Sequence, residues 1–474
     1  MMRFIFTQKY AGLFCLAMLL PPVSMLNYAS CHAFQLTFQP RITEALTYTD
    51  NLFLDSGDDP NNPKESDVYS LLTPGFTTEI MTRTLGASLS YDFGYTRYVD
   101  WSSRNSWNHN MGMNGWYDLS RHTRFEIRDN LVYTEDPISD RNFEITRPPE
   151  STLPEDYTTR RDRQPYLTNY ADFSFSHQFG PDDSIVISYG NGIRHDFSSS
   201  RNYQSSEYMR HTPSATITYW FNPGWGIELE GTYDQGNFKD QSDTKSGTAR
   251  FRLNHRFNPH TTMFYQYSFY TISYDEDETV SSEDTGFSQD YDTHDMVIGF
   301  NYSLSRDFSI ECHAGGVVQV MDQGDKTPHF SGGLSLNKTF QHGSIRLYGE
   351  SGQAQGVFTN DSVGPSFFFE TGLSGTYQIL ERLGCNAYVS FRRDNFEAAD
   401  NDYATGSSSG HDDNYGAGAG INWAPYTWLR FNLSYSFNHL DSGRDAGLYN
   451  NSYYENRGML NIVLTTPRPW RTTR

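Results

Sequence analysis

The chain has 474 residues, 16% of them aromatic, and carries 57 acidic against 36 basic residues, a net charge of −21. That balance excludes a nucleic-acid binder, which needs a basic footprint. Beyond the first 33 residues no apolar run approaches the 18 or so residues of a spanning helix, so any membrane crossing falls to strands.

The chain opens as a secretory leader. Arg3 and Lys9 flank the start of an almost wholly apolar stretch over 11–20 that continues to Leu26, and Ala33 ends a small-residue cleavage site. Residues 1–33 are therefore read as a signal peptide. A helical anchor is the first competing reading, and the apolar run is short for it. A lipoprotein cut before Cys31 is the second, and Tyr28 stands where an aliphatic residue belongs. Without Arg3 and Lys9 the remaining chain holds 34 basic against 57 acidic residues, a net charge of −23.

From there the chain alternates. In 225–233, Trp225, Ile227, Leu229 and Tyr233 oppose Glu228 and Glu230; in 251–257, Phe251, Leu253 and Phe257 oppose Arg252, Asn254 and Arg256. Period-two runs predict strands over 36–49, 68–82, 85–99, 108–119, 124–133, 166–179, 184–197, 208–221, 225–233 and 244–257. Ten more follow over 262–274, 293–304, 308–319, 329–340, 344–358, 366–379, 383–396, 414–423, 429–438 and 454–464. Short turns (120–122, 180–182, 222–224, 258–260, 305–307, 341–343, 380–382, 424–426) alternate with longer, mostly acidic connections (55–67, 136–164, 198–207, 275–291, 358–366, 396–413, 439–453).

This is the pattern of an all-β, transmembrane, antiparallel up-and-down β-barrel of about 20 strands, in the outer membrane of a Gram-negative bacterium. The weakest runs are the first and the one near Asn108, so 16 or 18 strands is the alternative. An even number puts both termini on the periplasmic side, with the short turns periplasmic and the long loops outside. The competing soluble sandwich does not usually run to some 20 regular hairpin strands in one domain. We divide the chain into a leader at 1–33, one barrel at 34–466 and a tail at 467–474. No segment is read as a plug. Aromatics near strand ends, such as Trp225, Phe257, Trp423 and Trp428, fit interfacial girdles. Cys312 and Cys385 sit on the apolar sides of separate strands, where they fill space rather than pair.

The candidate pore-lining charges are Arg124, Glu126, Arg128, Glu228, Glu230, Arg250, Arg252, Arg346, Glu350 and Arg392. Charges of both signs across a pore create a transverse field that sets selectivity. They can equally be ordinary lumen residues paired for stability. Tyr348, Tyr388 and Tyr270 fall on the polar side of their strands, where a ring face suits a sugar ring, or simply packs. Asp275, Glu276, Asp277, Glu278, Glu283, Asp284 and Asp290 crowd one loop; Asp55, Asp58, Asp59, Glu65 and Asp67 crowd another. Such carboxylates suit divalent cations, although neither stretch has a full calcium-loop pattern. An enzyme is not expected: the 14 histidines are scattered, and His177 and His255 lie on the lipid side beside short turns with no serine–carboxylate partner placed near them. No cofactor is expected. Gly416, Gly418 and Gly420 alternate with small residues on a strand, which implies a smooth wall rather than a phosphate loop.

The segment 40–54, PRITEALTYTDNLFL, resembles the opening strand of an outer-membrane porin family, β-barrel porin 2. Its Tyr-Thr-Asp-Asn-x-Phe piece carries the resemblance, supported by 70–76 (SLLTPGF), by 89–93 (LSYDF) and by Arg97–Tyr98. Family members are similar to barrels found beside exopolysaccharide and exosortase-linked gene sets. The resemblance implies a channel; its motifs are structural, and no site residue is carried over. This chain departs from the pattern at its end, where TTPRPWRTTR follows Leu464: either Trp470 is a late terminal aromatic or the tail is an extension. The expected function is an outer-membrane channel for polar solutes or an exported polysaccharide; the alternative is a structural or surface-polysaccharide-binding barrel without transport. The expected partners are outer-membrane lipids, the outer-membrane assembly machinery, a polysaccharide, and divalent cations at the acidic loops.

Overall fold

The computed structural model describes residues 34–57, 63–135, 165–197, 207–239, 242–275, 290–321, 326–354, 366–396, 410–443 and 452–473. The leader reading at 1–33 lies outside the described residues. The strands are Gln35–Thr49 (β1), Asp67–Met81 (β2), Leu85–Tyr98 (β3), Ser106–Ser120 (β4), Thr123–Thr134 (β5), Tyr166–Gln178 (β6) and Ser184–Asp196 (β7). Tyr208–Asn222 (β8), Trp225–Phe238 (β9), Asp243–Asn258 (β10), Thr261–Asp275 (β11), Tyr291–Ser305 (β12), Phe308–Met321 (β13) and Lys326–Phe340 (β14) follow. Gly343–Ala354 (β15), Ser366–Leu380 (β16), Leu383–Phe396 (β17), Gly410–Tyr426 (β18), Leu429–Ser442 (β19), Tyr453–Thr465 (β20) and Trp470–Thr473 (β21) complete the wall.

Each strand pairs antiparallel with the next, and β20 returns to pair with β1, from Arg41 opposite Thr465 to Thr49 opposite Arg457. The four-residue β21 pairs with the start of the same strand, Phe38 opposite Trp470. β20 and β21 are thus two pieces of one closing stave, interrupted at 466–469, and the barrel has the 20 staves that the period-two runs predict. Trp470 stacks on Phe38 with centroids 5.4 Å apart. Closure removes every sheet edge, the condition for backbone in lipid. Register shifts recur beside the tight turns, at Asp118/Ser120, Arg256/Asn258 and Ser303/Ser305, where a bulge lets a short loop close the hairpin.

Pairing fixes which residues share a face. Arg250 lies opposite Glu230 on one side and Ser268 on the other, whereas Phe251 lies opposite Leu229 and Tyr267. The apolar set is the one left open: Val389 and Leu433 are each 54% exposed. Apolar side chains in that number face lipid, and the polar set faces the bore.

The outer face changes character just inside the long-loop rim. There Tyr91 and His109 are 2.8 Å apart, Tyr189 and His211 2.7 Å, and Tyr267 and His294 2.9 Å, hydroxyl to Nδ1 in each case. Asn169 donates to Asp129 at 2.7 Å, and Ser70 donates to Glu44. A belt of polar couples therefore ends the apolar band. On β8, His211 and Phe221 stand at the two edges of that band, ten positions apart. At ~3.3 Å per residue and ~40° tilt this spans roughly 25 Å, the height of a membrane band. The strand ends above the belt project beyond it, which explains why β9 continues to Phe238 through polar residues that alternation alone ends at Tyr233.

No separate plug is expected from the sequence; the first connection does turn inward. Leu52 and Phe53 pack on Tyr69 and Tyr98, which lie on the bore side of β2 and β3; the four are 0%, 3%, 2% and 1% exposed. Trp101 closes the cluster, edge-on to Phe53 at 4.9 Å. Leu52 and Phe53 are apolar and leave water by folding against the inner wall of the mouth.

Candidate functional site

The inward charges assemble into local networks. Arg250 donates to Glu228 at 2.9 Å and also to Glu230. Two glutamates that alternation puts on one face of β9 thus share one guanidinium from β10. On β5, Glu126 lies 3.7 Å from Arg124 and 3.3 Å from Arg128, while Arg124 also donates to Asp118 at 2.7 Å. Arg392 on β17 donates to Asp394 at 2.7 Å, lies 3.5 Å from Glu370 and sits over the Phe368 ring at 4.5 Å. Glu350 is opposite Glu370 across β15 and β16. Salt bridges of this kind hold the charged side chains against the wall.

Arg252 stands apart. It makes no ion pair among the described residues; its guanidinium lies 3.6 Å from the centroid of Phe264. That ring lies flat on Gly299, where an added Cβ would meet Phe264 Cζ at 2.0 Å. The same three layers recur: Trp116 between Gly86 and Arg124, Trp220 between Gly226 and Arg256, Tyr348 between Gly372 and Arg346. Inward aromatics are laid along the wall by a glycine on the neighbouring strand, with arginine stems across them. Alternation shows the glycine and the ring; only the register shows that they meet.

The three tyrosines separate. Tyr348 carries Arg346 at 5.4 Å from its centroid, and its hydroxyl donates to Glu370 at 2.8 Å. Tyr388 lies on Gly418, whose added Cβ would be 2.5 Å from the ring. Tyr270 is 4% exposed, packed with Ile272 and Tyr291, so its ring offers no open face.

Three further inward pairs are not among the expected charges: one skips a strand, one joins adjacent strands and one lies within a strand. Arg41 on β1 reaches Asp92 on β3 over Gly75, Arg210 reaches Asp234, and Arg194 lies 3.0 Å from Asp196. A glycine opposite two charged residues is the signal that exposes the first.

At the mouth, residues of the Tyr-Thr-Asp-Asn-x-Phe piece clasp the seam between β1 and β20. Asp50 accepts from the Asn456 backbone and side-chain nitrogens, both at 2.7 Å, and from Lys64 at 3.0 Å. Thr49 donates to Glu455 at 2.9 Å, and the Lys64 ammonium sits 3.3 Å above the Tyr454 ring. Burial pushes the Asp50 carboxyl up, but these hydrogen bonds and the lysine outweigh it and hold it below the usual carboxylate range.

Of the acidic loop residues, Asp55, Glu65, Asp67, Asp275 and Asp290 are described; Asp58, Asp59, Glu276, Asp277, Glu278, Glu283 and Asp284 lie outside the described residues. Asp290 accepts from the Tyr274 amide at 2.9 Å, and Asp67 from the Val68, Asp100 and Trp101 amides. Among the described residues no group of three or more histidine, cysteine or acidic side chains could hold a metal.

No protein-family model matches the chain, and no curated protein matches it in sequence. Solved structures do match. The FrpB iron transporter from Neisseria meningitidis aligns with a TM-score of 0.54 at 8% identity, over 90% of this chain and 82% of that chain. The outer membrane protein OpdK from Pseudomonas aeruginosa gives 0.43 at 10% identity, over 90% of this chain and 99% of that one. At such identities the likeness is one of fold. Together with the apolar band and the closed wall, it shows the fold of an outer-membrane β-barrel.

Proposed function

We propose that the chain is a water-filled channel for polar solutes, an exported polysaccharide among them. The observation that carries this reading is the inner wall. Along β17–β19 it is built of Ser390, Gly416, Gly418, Gly420, Ser434 and Ser436, while the larger inward side chains lie flat on glycines or pair along the wall. Twenty strands enclose a bore too wide for such residues to fill. The leader at 1–33, the periplasmic placement of the short turns and the resemblance of 40–54 to β-barrel porin 2 belong to the same reading. The test is conductance of the purified protein in planar bilayers: discrete, ion-selective steps support it, and a silent bilayer ends it.

One observation favours a second reading, a barrel that binds surface polymer without transport. The first connection occupies part of the mouth, with Leu52 and Phe53 seated on the inner wall. Steady conductance in the intact protein would exclude it.

A further inference from the structure

We infer that the inner wall of β17–β20 carries a binding site for a saccharide chain, near the short-turn end of the bore; the inference rests on the channel reading and names the solute class. Two adjacent rows of paired residues build it. In the first, Tyr388 lies opposite Gly418, and Gly418 opposite Ser436. Gly418 lets the ring lie along the wall, and neither the ring face turned from it nor the hydroxyl meets an ion pair, ring or hydrogen-bond partner among the described residues. In the second row, Asn422 lies opposite Asn432, and Asn432 opposite Asn461. Asn386 joins this row, accepting from Asn422 at 3.5 Å, the outer limit of a hydrogen bond. Asn461 Oδ1 is buried without a hydrogen-bond partner, and the Asn432 amide makes no hydrogen bond among the described residues.

Each asparagine amide offers two donors and an acceptor, which match adjacent sugar hydroxyls. A flat tyrosine face matches the C–H face of a pyranose ring, and Tyr388 stands two residues along β17 from Asn386, on the same side. Gly418 and Gly420 lie under the Tyr388 and Asn386 side chains, and the small Ser436 and Ser434 stand opposite them on β19. The two rows themselves are uncharged up to Ser436; Arg457 ends the first, and Arg430 stands two residues from Asn432 on the same face of β19. Arg457, beyond Ser436 in the first row, lies 3.6 Å from Glu455.

The test is equilibrium dialysis of the full-length protein in detergent against tritium-labelled cellohexaose and, separately, maltohexaose. Wild type and Tyr388→Phe should bind at least one of them. Tyr388→Ala and Asn432→Leu should each bind at least ~10-fold more weakly while keeping the heat-dependent gel mobility of a folded barrel. Asn422→Leu replaces either variant that does not fold. Absence of binding to both sugars in the wild type, or folded variants that bind as it does, overturns the site. Planar-bilayer currents judge the channel separately. A silent bilayer with Tyr388-dependent binding ends the channel and keeps the site; conductance without binding does the reverse.

Discussion

The side-chain amide of Asn51 donates to the main-chain carbonyl of Tyr454 at 2.9 Å, across 403 residues of sequence. The same amide donates to the Asp55 carbonyl at 2.9 Å and accepts from the Asp55 amide at 3.0 Å. One fully buried side chain thereby shapes the first connection and ties it to the last stave.

Replacing Asn51 by alanine strips three hydrogen bonds from a site closed to water and leaves their backbone partners unpaired. A loss of about 2–4 kcal/mol is expected. It should appear as a lower urea midpoint in detergent and as conversion of the fast-migrating folded form at a lower temperature. An unchanged midpoint would remove the clasp from the account of stability.

Asp50 gives this seam a pH dependence of definite sign. Its carboxyl is held below the value of about 3.9 that it has when unfolded. Its stabilisation is therefore complete above that value and fades as pH falls through the lower folded value. Wild type should exceed Asp50→Asn in stability near neutrality, and the gap should close on acidification below about pH 4. A gap that widens with acid would contradict the ion pair.

Two glycines separate flexible from rigid obstruction. An added Cβ at Gly299 meets the Phe264 ring at 2.0 Å, whereas one at Gly315 meets the Met296 carbonyl oxygen at 1.8 Å. The ring can swing; the backbone of β12 cannot without breaking register. Gly299→Ala should cost ~1–3 kcal/mol, and Gly315→Ala more, to the point of failed folding. Gly299→Ala should also move Arg252, read as altered conductance. Equal effects at the two positions would contradict this distinction.

Arg250 neutralises two glutamates, Glu228 at 2.9 Å and Glu230. Arg250→Glu would set three carboxylates side by side in the bore. In planar bilayers the reversal potential should shift toward cation selectivity, with a smaller shift for Arg250→Gln. Identical selectivity in all three proteins would place this cluster away from the ion path.

Orientation is open to labelling of intact cells. A tag between Ser282 and Glu283, in the connection from β11 to β12, should be reached by antibody, and one at Pro259 between β10 and β11 should not. The reverse pattern would turn the barrel over.

The wall was legible because lipid on one side and water on the other force a two-residue period on every stave. Each of the 20 predicted runs coincides with a strand or closing stave. Where that force ends, legibility ends. Asp234–Gln235–Gly236–Asn237 stands above the polar belt, so β9 outruns its alternation. Thr466–Pro467–Arg468–Pro469 breaks the ladder, and nothing local announces that Trp470 resumes it on Phe38. Alternation shows which charges share a face of a strand; it does not show that Arg41 and Asp92 meet, because they do so only through tertiary register.

The seam also bears on biogenesis. The bonds of the clasp that cross the seam need residues 454–457, which are synthesised some 400 positions after Thr49 and Asn51. Contacts so remote form late. Until they form, β1 presents a bare edge, which invites pairing with a stranger. Once they form, that edge is gone. The clasp thus works as proof of completeness: a half-made chain is sticky, and a finished one is inert.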